Sequence, residues 1–277
     1  VPPRSATAAS NAKPKLLKPV RPSAAIDAWY KRKLDQLVEE MNASIAFWLE
    51  RSYANREDQI VAMDELPAKQ LSRALARLRR RWQKNFDEAA PKIAKHFTQQ
   101  VDQRSKKQLQ DILKEAGFSV EFTMTSKQAD GIRANIQENV SLIRSIPQKH
   151  FTDIEGMVMR SVQAGRDLHT LSTQLQKQYG KTKKRAALIA RDQNNKATAF
   201  LTRTRQGELG IKKAIWMHSH AGKVPRPTHL ANDGKPYDVE KGWYDPDAHG
   251  KGKGAYIFPG ELINCRCVSR SIIPGFT

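Results

Sequence analysis

A chain of 277 residues and 31.3 kDa is long enough for one large domain or two ordinary ones, which excludes an isolated peptide motif. Hydrophobic residues make up 39% and aromatics 7%, enough for a core but lean, so part of the length is expected as exposed polar helix. Forty-eight basic residues against 28 acidic ones leave a net charge of +20, which polyanionic partners would relieve, and no apolar run approaches the roughly 18 residues that a membrane-spanning helix needs.

No secretory apolar segment follows the N-terminus, which predicts a soluble protein made in the cytosol, and Val1 in place of an initiating Met points to trimming, processing or a leader. Residues 1–23 carry Pro2, Pro3, Pro14, Pro19 and Pro22, with Leu16, Leu17 and Val20 as their apolar cluster. So little burial cannot offset the ordering entropy, and an extended basic arm is expected. From Ala24, apolar residues recur three and four apart (Ile26, Trp29, Tyr30, Leu34, Leu37, Met41, Ile45, Trp48, Leu49) and predict one long amphipathic helix reaching the Asn55 region. Pro67 suits the first turn of a second helix, whose stripe is Leu71, Leu75, Leu78, Trp82 and Phe86. Pro91 either kinks that helix or starts the next, which runs through Ile93, Phe97, Val101, Leu109 and Leu113 to a stop at Gly117.

Residues 118–124 alternate (Phe118, Val120, Phe122, Met124) as a short strand or an extended connector. Ser126 is the expected cap of a helix carrying Ile132, Ile136, Val140 and Ile143 and ending near Pro147, with two shorter helices at about 151–163 and 167–178. After Gly180 a further helix holds Ala186, Ile189, Ala190, Asn194, Ala197, Phe200 and Leu201 up to Gly207. Past Gly210 the text turns to strand and loop, with β runs at 211–218 and 265–273 around Gly-, Pro- and Asp-rich loops. No period of about 20–50 residues repeats, which argues against a solenoid. The expected fold is mainly α with a small α+β C-terminal unit: a basic arm at 1–23, a long-helix region at 24–124 and a functional unit at 125–277.

The most unusual text lies in that last unit. In order it reads Trp216 and His218, Arg226 and His229, Asp233 and Gly234, Pro259, Gly260 and Glu261, then Asn264, Cys265, Arg266 and Cys267, with Pro274 beyond. Following a helix that holds Arg191, Asn194 and Asn195, this order resembles the C-terminal half of the phage Mu F-like minor head proteins, a family of tailed-phage head-morphogenesis proteins. The resemblance covers about 125–277. It implies a non-enzymatic minor capsid component, present in few copies, made in the host cytoplasm and located in the virion inside the capsid near the portal. It implies the portal protein and other head proteins as partners, and roles in head assembly and in DNA packaging or ejection.

Each chemical signal has two readings. Cys265 and Cys267, two apart, cannot pair in an unstrained disulfide. On a strand both would face one side and, with His229 and one of His249, His220 or His218, could hold zinc in a mixed Cys/His site. The reading taken from the sequence is the other one: buried cysteines packing beneath Trp216, with no cofactor. Arg226, His229 and Arg266, with Asp233 or Glu261, would suit a nuclease or transferase, His229 as base and a guanidinium as clamp. No hydrolase elbow, Walker loop, paired-carboxylate signature or His-Glu-x-x-His element accompanies them, so structural roles are expected: Arg266 on the carbonyls of the 259–260 turn and His229 on a backbone group.

Arg73, Arg77, Arg79, Arg80, Arg81 and Lys84 crowd one predicted helix, and Lys181, Lys183, Lys184 and Arg185 another. Neither run shows intrahelical balancing by acids, and together they are the candidate contacts to double-stranded DNA, Arg79 excepted. Without a base-reading motif such contact is expected to be blind to sequence. Gly250, Gly252 and Gly254 alternate with Lys251 and Lys253 but lack the Gly-Lys-Ser/Thr ending of a phosphate loop, and predict a hairpin tip.

Overall fold

The computed structural model describes residues 14–54, 67–164, 168–220 and 224–273. The expected arm at 1–13, the approach to Asn55 and Pro274 fall outside them. Four long helices dominate: α1 (Ala24–Ala54), α2 (Pro67–Glu115), α3 (Ser126–Gln163) and α4 (Leu168–Glu208). A short helix, α5 (Pro227–Ala231), and six strands complete the chain: β1 (Lys15–Leu16), β2 (Lys213–Met217), β3 (Pro236–Asp238), β4 (Trp243–Asp245), β5 (Ala255–Ile257) and β6 (Val268–Ile273). The fold is mainly α with a small β-rich C-terminal part, as the periodicity predicts.

The breaks expected near Pro147 and Gly180 do not occur, and at Pro91 no new helix starts. Helix α2 runs through Pro91, α3 through Pro147 and α4 through Gly180, so the short helices expected at 151–163 and 167–178 are the end of one long helix and the start of the next. Buried residues flank both prolines: Phe86, Ala90, Ala94 and Phe97 around the first, Ile143, Ile146, Phe151 and Ile154 around the second. That burial, at about 1.5–3 kcal/mol per large side chain, outweighs the roughly 3 kcal/mol an internal proline costs. A glycine costs only about 1 kcal/mol and is more easily absorbed.

Contacts group the described residues into two compact units that interleave along the chain. One, comprising Ala24–Gln100 and Ile132–Gln193, is helical. Its stripe on α1 buries Tyr30, Leu34, Val38, Met41, Ile45 and Leu49. Tyr30 stacks on Phe97 and donates its hydroxyl to Asn139 Oδ1 at 2.8 Å, and Asn139 passes the chain to Gln193 and Glu138. The buried members of this network, Tyr30, Asn139 and Gln193, are stable there only because they are paired.

The other unit comprises Val1–Ser23, Val101–Gly131 and Asn194–Thr277. Its four-stranded antiparallel sheet has the order β1-β6-β2-β3, with β4 and β5 as a separate hairpin. Residues 14–23 depart from the expected unanchored arm. Strand β1 pairs with β6, Arg270 donates to the Leu17 carbonyl, and Leu17 and Val20 are buried with Leu109, Ile112, Leu113, Phe122 and Ile273. The apolar cluster judged too small to bury itself is completed by other elements. Residues 118–124 form a connector, not a strand: Lys106 and Gln110 of α2 donate to the carbonyls of Phe122 and Val120, so ladder partners are not needed. The cap of α3 is Thr125 rather than Ser126, its hydroxyl accepting the Gln128 amide at 3.2 Å and donating to Glu208. Arg205, 1% exposed, is held by Ser105 and by the Asp102 carboxylate.

Candidate functional site

Five local devices gather the motif residues of the C-terminal part. Strand β2 buries Trp216 completely, paired opposite Ser269 of β6. Helix α5 begins at Pro227, whose fixed φ suits a first turn, and carries the buried His229. Gly234, at φ 76°, then reverses the chain so that its amide and the Lys235 carbonyl pair with Trp216. Gly260, at φ 83°, sits so close to α4 that a Cβ would come within 2.8 Å of Ala199 Cβ, which explains a glycine after Pro259. Asn264, at φ 62°, takes the left-handed conformation that Asn tolerates better than most residues, and Asn195 of α4 donates to the Cys265 carbonyl at 3.2 Å.

Strand β6 starts only at Val268, so Cys265 and Cys267 lie on the loop before it, not on the expected strand. Both thiols nevertheless face one point. His229 Nδ1 is 3.5 Å from Cys265 Sγ and 3.6 Å from Cys267 Sγ, and one ligand atom from each residue lies within 4.8 Å of the others. The three are 2–3% exposed. On the far side of the ring, Nε2 is 3.2 Å from Oδ2 of Asp245, a fully buried carboxylate that also accepts from the Thr228 hydroxyl and the Asp247 amide. The ring of Trp216 meets His229 edge-on at 5.1 Å. A hydrogen bond from Cys267, aided by His229, draws the Cys265 thiol well below its ordinary range despite burial, while donation to Cys265 and burial push Cys267 up. The cysteines do pack beside Trp216, but His229 turns to thiols and a carboxylate, not to the backbone group expected. No pattern in the sequence separates Asp245 from Asp238 or Asp247, and its role comes from tertiary placement alone.

The remaining motif residues clasp turns. Arg226 donates to the Ile263 carbonyl at 2.9 Å, and Glu261 accepts the Phe258 amide across the Pro259–Gly260 turn. Asp233 accepts the His218 amide and pairs with the His220 ring at 2.8 Å; the first of these contacts lowers its pKa most. Burial lowers the pKa of His218, whose ionisation also responds to the charges of Cys265 and His229. Arg266 is half-buried between the two cysteines. His249 is exposed on the glycine-lysine turn, outside the Cys/His cluster.

The basic candidates sit in the helical unit. Arg73, Arg77, Arg80, Arg81 and Lys84 are exposed on α2, and Lys181 and Lys184 on α4. The expectation of no intrahelical balancing is corrected at Lys84, which lies 3.9 Å from Glu88 one turn on, and acids of other helices reach Arg79 (Glu155, 3.9 Å) and Lys183 (Glu39, 2.6 Å). Arg185 donates to the Ser145 hydroxyl. Lys181 and Arg185 join Lys149, Arg160 and Asp153 around a groove of about 620 Å³.

No solved structure matches the chain. An uncharacterized protein of Haemophilus influenzae is 28% identical over 267 residues, covering 95% of this chain and 56% of that protein, so the chain spans about half the length of the curated relative it matches. Residues 152–270, the stretch that folds into the Cys/His cluster and its supports, match the family of Phage Mu protein F like proteins.

Proposed function

We propose that the chain is a structural, non-enzymatic head-morphogenesis protein of a tailed phage, a minor capsid component that docks near the portal and contacts packaged DNA without reading its sequence. The observation that carries this reading is the family match over residues 152–270. The ordered motif supports a structural role, because Arg226, Asp233 and Glu261 hold turns and His229 is buried. The +20 charge and the exposed arginines of α2 support DNA contact. Phe47 and Trp48, both exposed on α1, support docking of that helix in a partner groove.

The test is co-purification of the full chain with the portal oligomer and its detection in isolated heads by mass spectrometry. Expected outcomes are a stoichiometric minor band in heads and a portal complex lost on Phe47→Ser/Trp48→Ser substitution. Heads of normal composition and yield formed without the protein would overturn the reading. The enzymatic alternative, a nuclease or transferase using His229 and Arg226, predicts a measurable activity that His229→Ala removes without unfolding the chain.

A further inference from the structure

We infer that His229, Cys265 and Cys267 hold one zinc ion, His229 through Nδ1 and both cysteines as thiolates. The argument is first one of distances. For tetrahedral zinc with Zn–S near 2.3 Å and Zn–N near 2.0–2.1 Å, the nitrogen-to-sulfur edge of the tetrahedron is about 3.6 Å. The observed edges are 3.5 and 3.6 Å. One imidazole nitrogen equidistant from two sulfurs cannot share a single proton well between them, whereas a cation at the centre satisfies all three at once.

Asp245 supplies an independent second observation. Its carboxylate lies 3.2 Å from Nε2, at ion-pair distance though not aligned as a hydrogen bond, and this negative charge behind the ring favours the tautomer with its proton on Nε2 and its Nδ1 lone pair towards the sulfurs. A carboxylate behind the imidazole is the arrangement that fixes tautomer and ring orientation in zinc-bound histidines. The carboxylate is itself held by Thr228 and Asp247, so it is built into the fold. Nearby, the indole N–H of Trp216 is buried with no hydrogen-bond partner.

The local architecture also gives a metal something to do. The cysteine loop contains a left-handed residue and joins short strands, β3, β4 and β5 having three residues each. Zinc would tie this loop to α5 by bonds that the backbone does not supply. Among the described residues no fourth His, Cys, Asp or Glu joins the cluster, so the remaining tetrahedral position is left for a water or another nitrogen or oxygen ligand. A Cys–His–Asp order could also describe a nucleophilic triad, but here thiols and imidazole are buried. The zinc centre stands apart from the head-assembly reading, and either can fail alone.

The full chain, purified without chelator and then stripped and reconstituted under reducing conditions, tests it. Elemental analysis should find one zinc per chain. Cobalt in its place should show the sulfur-to-metal charge-transfer band and the intense d–d bands of a tetrahedral site, and X-ray absorption should fit two sulfur and two nitrogen or oxygen neighbours. Asp245→Asn should keep the fold by circular dichroism while weakening zinc binding about 10- to 100-fold. Cys265→Ser and Cys267→Ser should each abolish the cobalt charge-transfer pattern; because they can unfold the C-terminal part, the wild-type cobalt spectrum decides independently. Wild-type protein that fails to take up stoichiometric zinc or cobalt, or whose thiols are alkylated equally fast with and without added zinc, would overturn the assignment.

Discussion

A histidine that must stay neutral makes one residue a pH sensor for the helical unit. Burial holds His150 down to about 4, only partly opposed by Asp153, while Nδ1 bonds the Thr182 hydroxyl at 2.8 Å and Nε2 is buried without a partner. Its folded pKa is below the unfolded value of 6.5, so the unfolded chain binds the extra proton. The stabilisation is therefore complete above pH 6.5 and is lost as pH falls towards 4, with a slope of about 1.4 kcal/mol per pH unit. Urea melts of wild type and His150→Gln across that window check this: the variant should lose the slope, and identical pH dependence would refute it. The cysteines, by contrast, show how little a residue's own text says. Their spacing favours packing over ligation, and only the 3.5 and 3.6 Å distances to His229 Nδ1 give ligation its ground.

At the scale of elements, β1 and the residues after it test how burial is shared. Taken alone, Leu17 and Val20 cannot offset the entropy of ordering their segment. In the fold, Leu17 is 3% exposed against Leu109, Ile112, Leu113, Phe122 and Ile273, and its carbonyl accepts from Arg270. Leu17→Ala should therefore cost about 2–5 kcal/mol, read as a lowered melting midpoint, where a free arm would give a change within about 0.5 kcal/mol. The long helices teach the converse. Their apolar stripes were legible at single-residue spacing, but Pro91, Pro147 and Gly180 read as punctuation because local propensity ignores the packing that holds each helix through them.

At the scale of the whole molecule, the proposed DNA contact rests on the +20 net charge. DNA binding by the full chain should be indifferent to sequence and lose on the order of a thousandfold in affinity between about 50 and 200 mM salt if some six phosphates are engaged. Charge reversal at Arg77, Arg80 and Lys84 should weaken it uniformly across sequences in filter-binding or anisotropy titrations, and salt-insensitive or sequence-selective binding would refute it. The sequence by itself determined the mainly α class, the basic balance and the order of motif residues that resembles the Mu F-like proteins, because periodicity, composition and spacing are properties of the chain before it folds. Only the tertiary structure decided which helices run through their prolines, that residues 14–23 dock, and that Asp245, His229, Cys265 and Cys267 meet. Each of those outcomes depends on contacts between residues far apart in sequence, whose burial and distance no local pattern encodes.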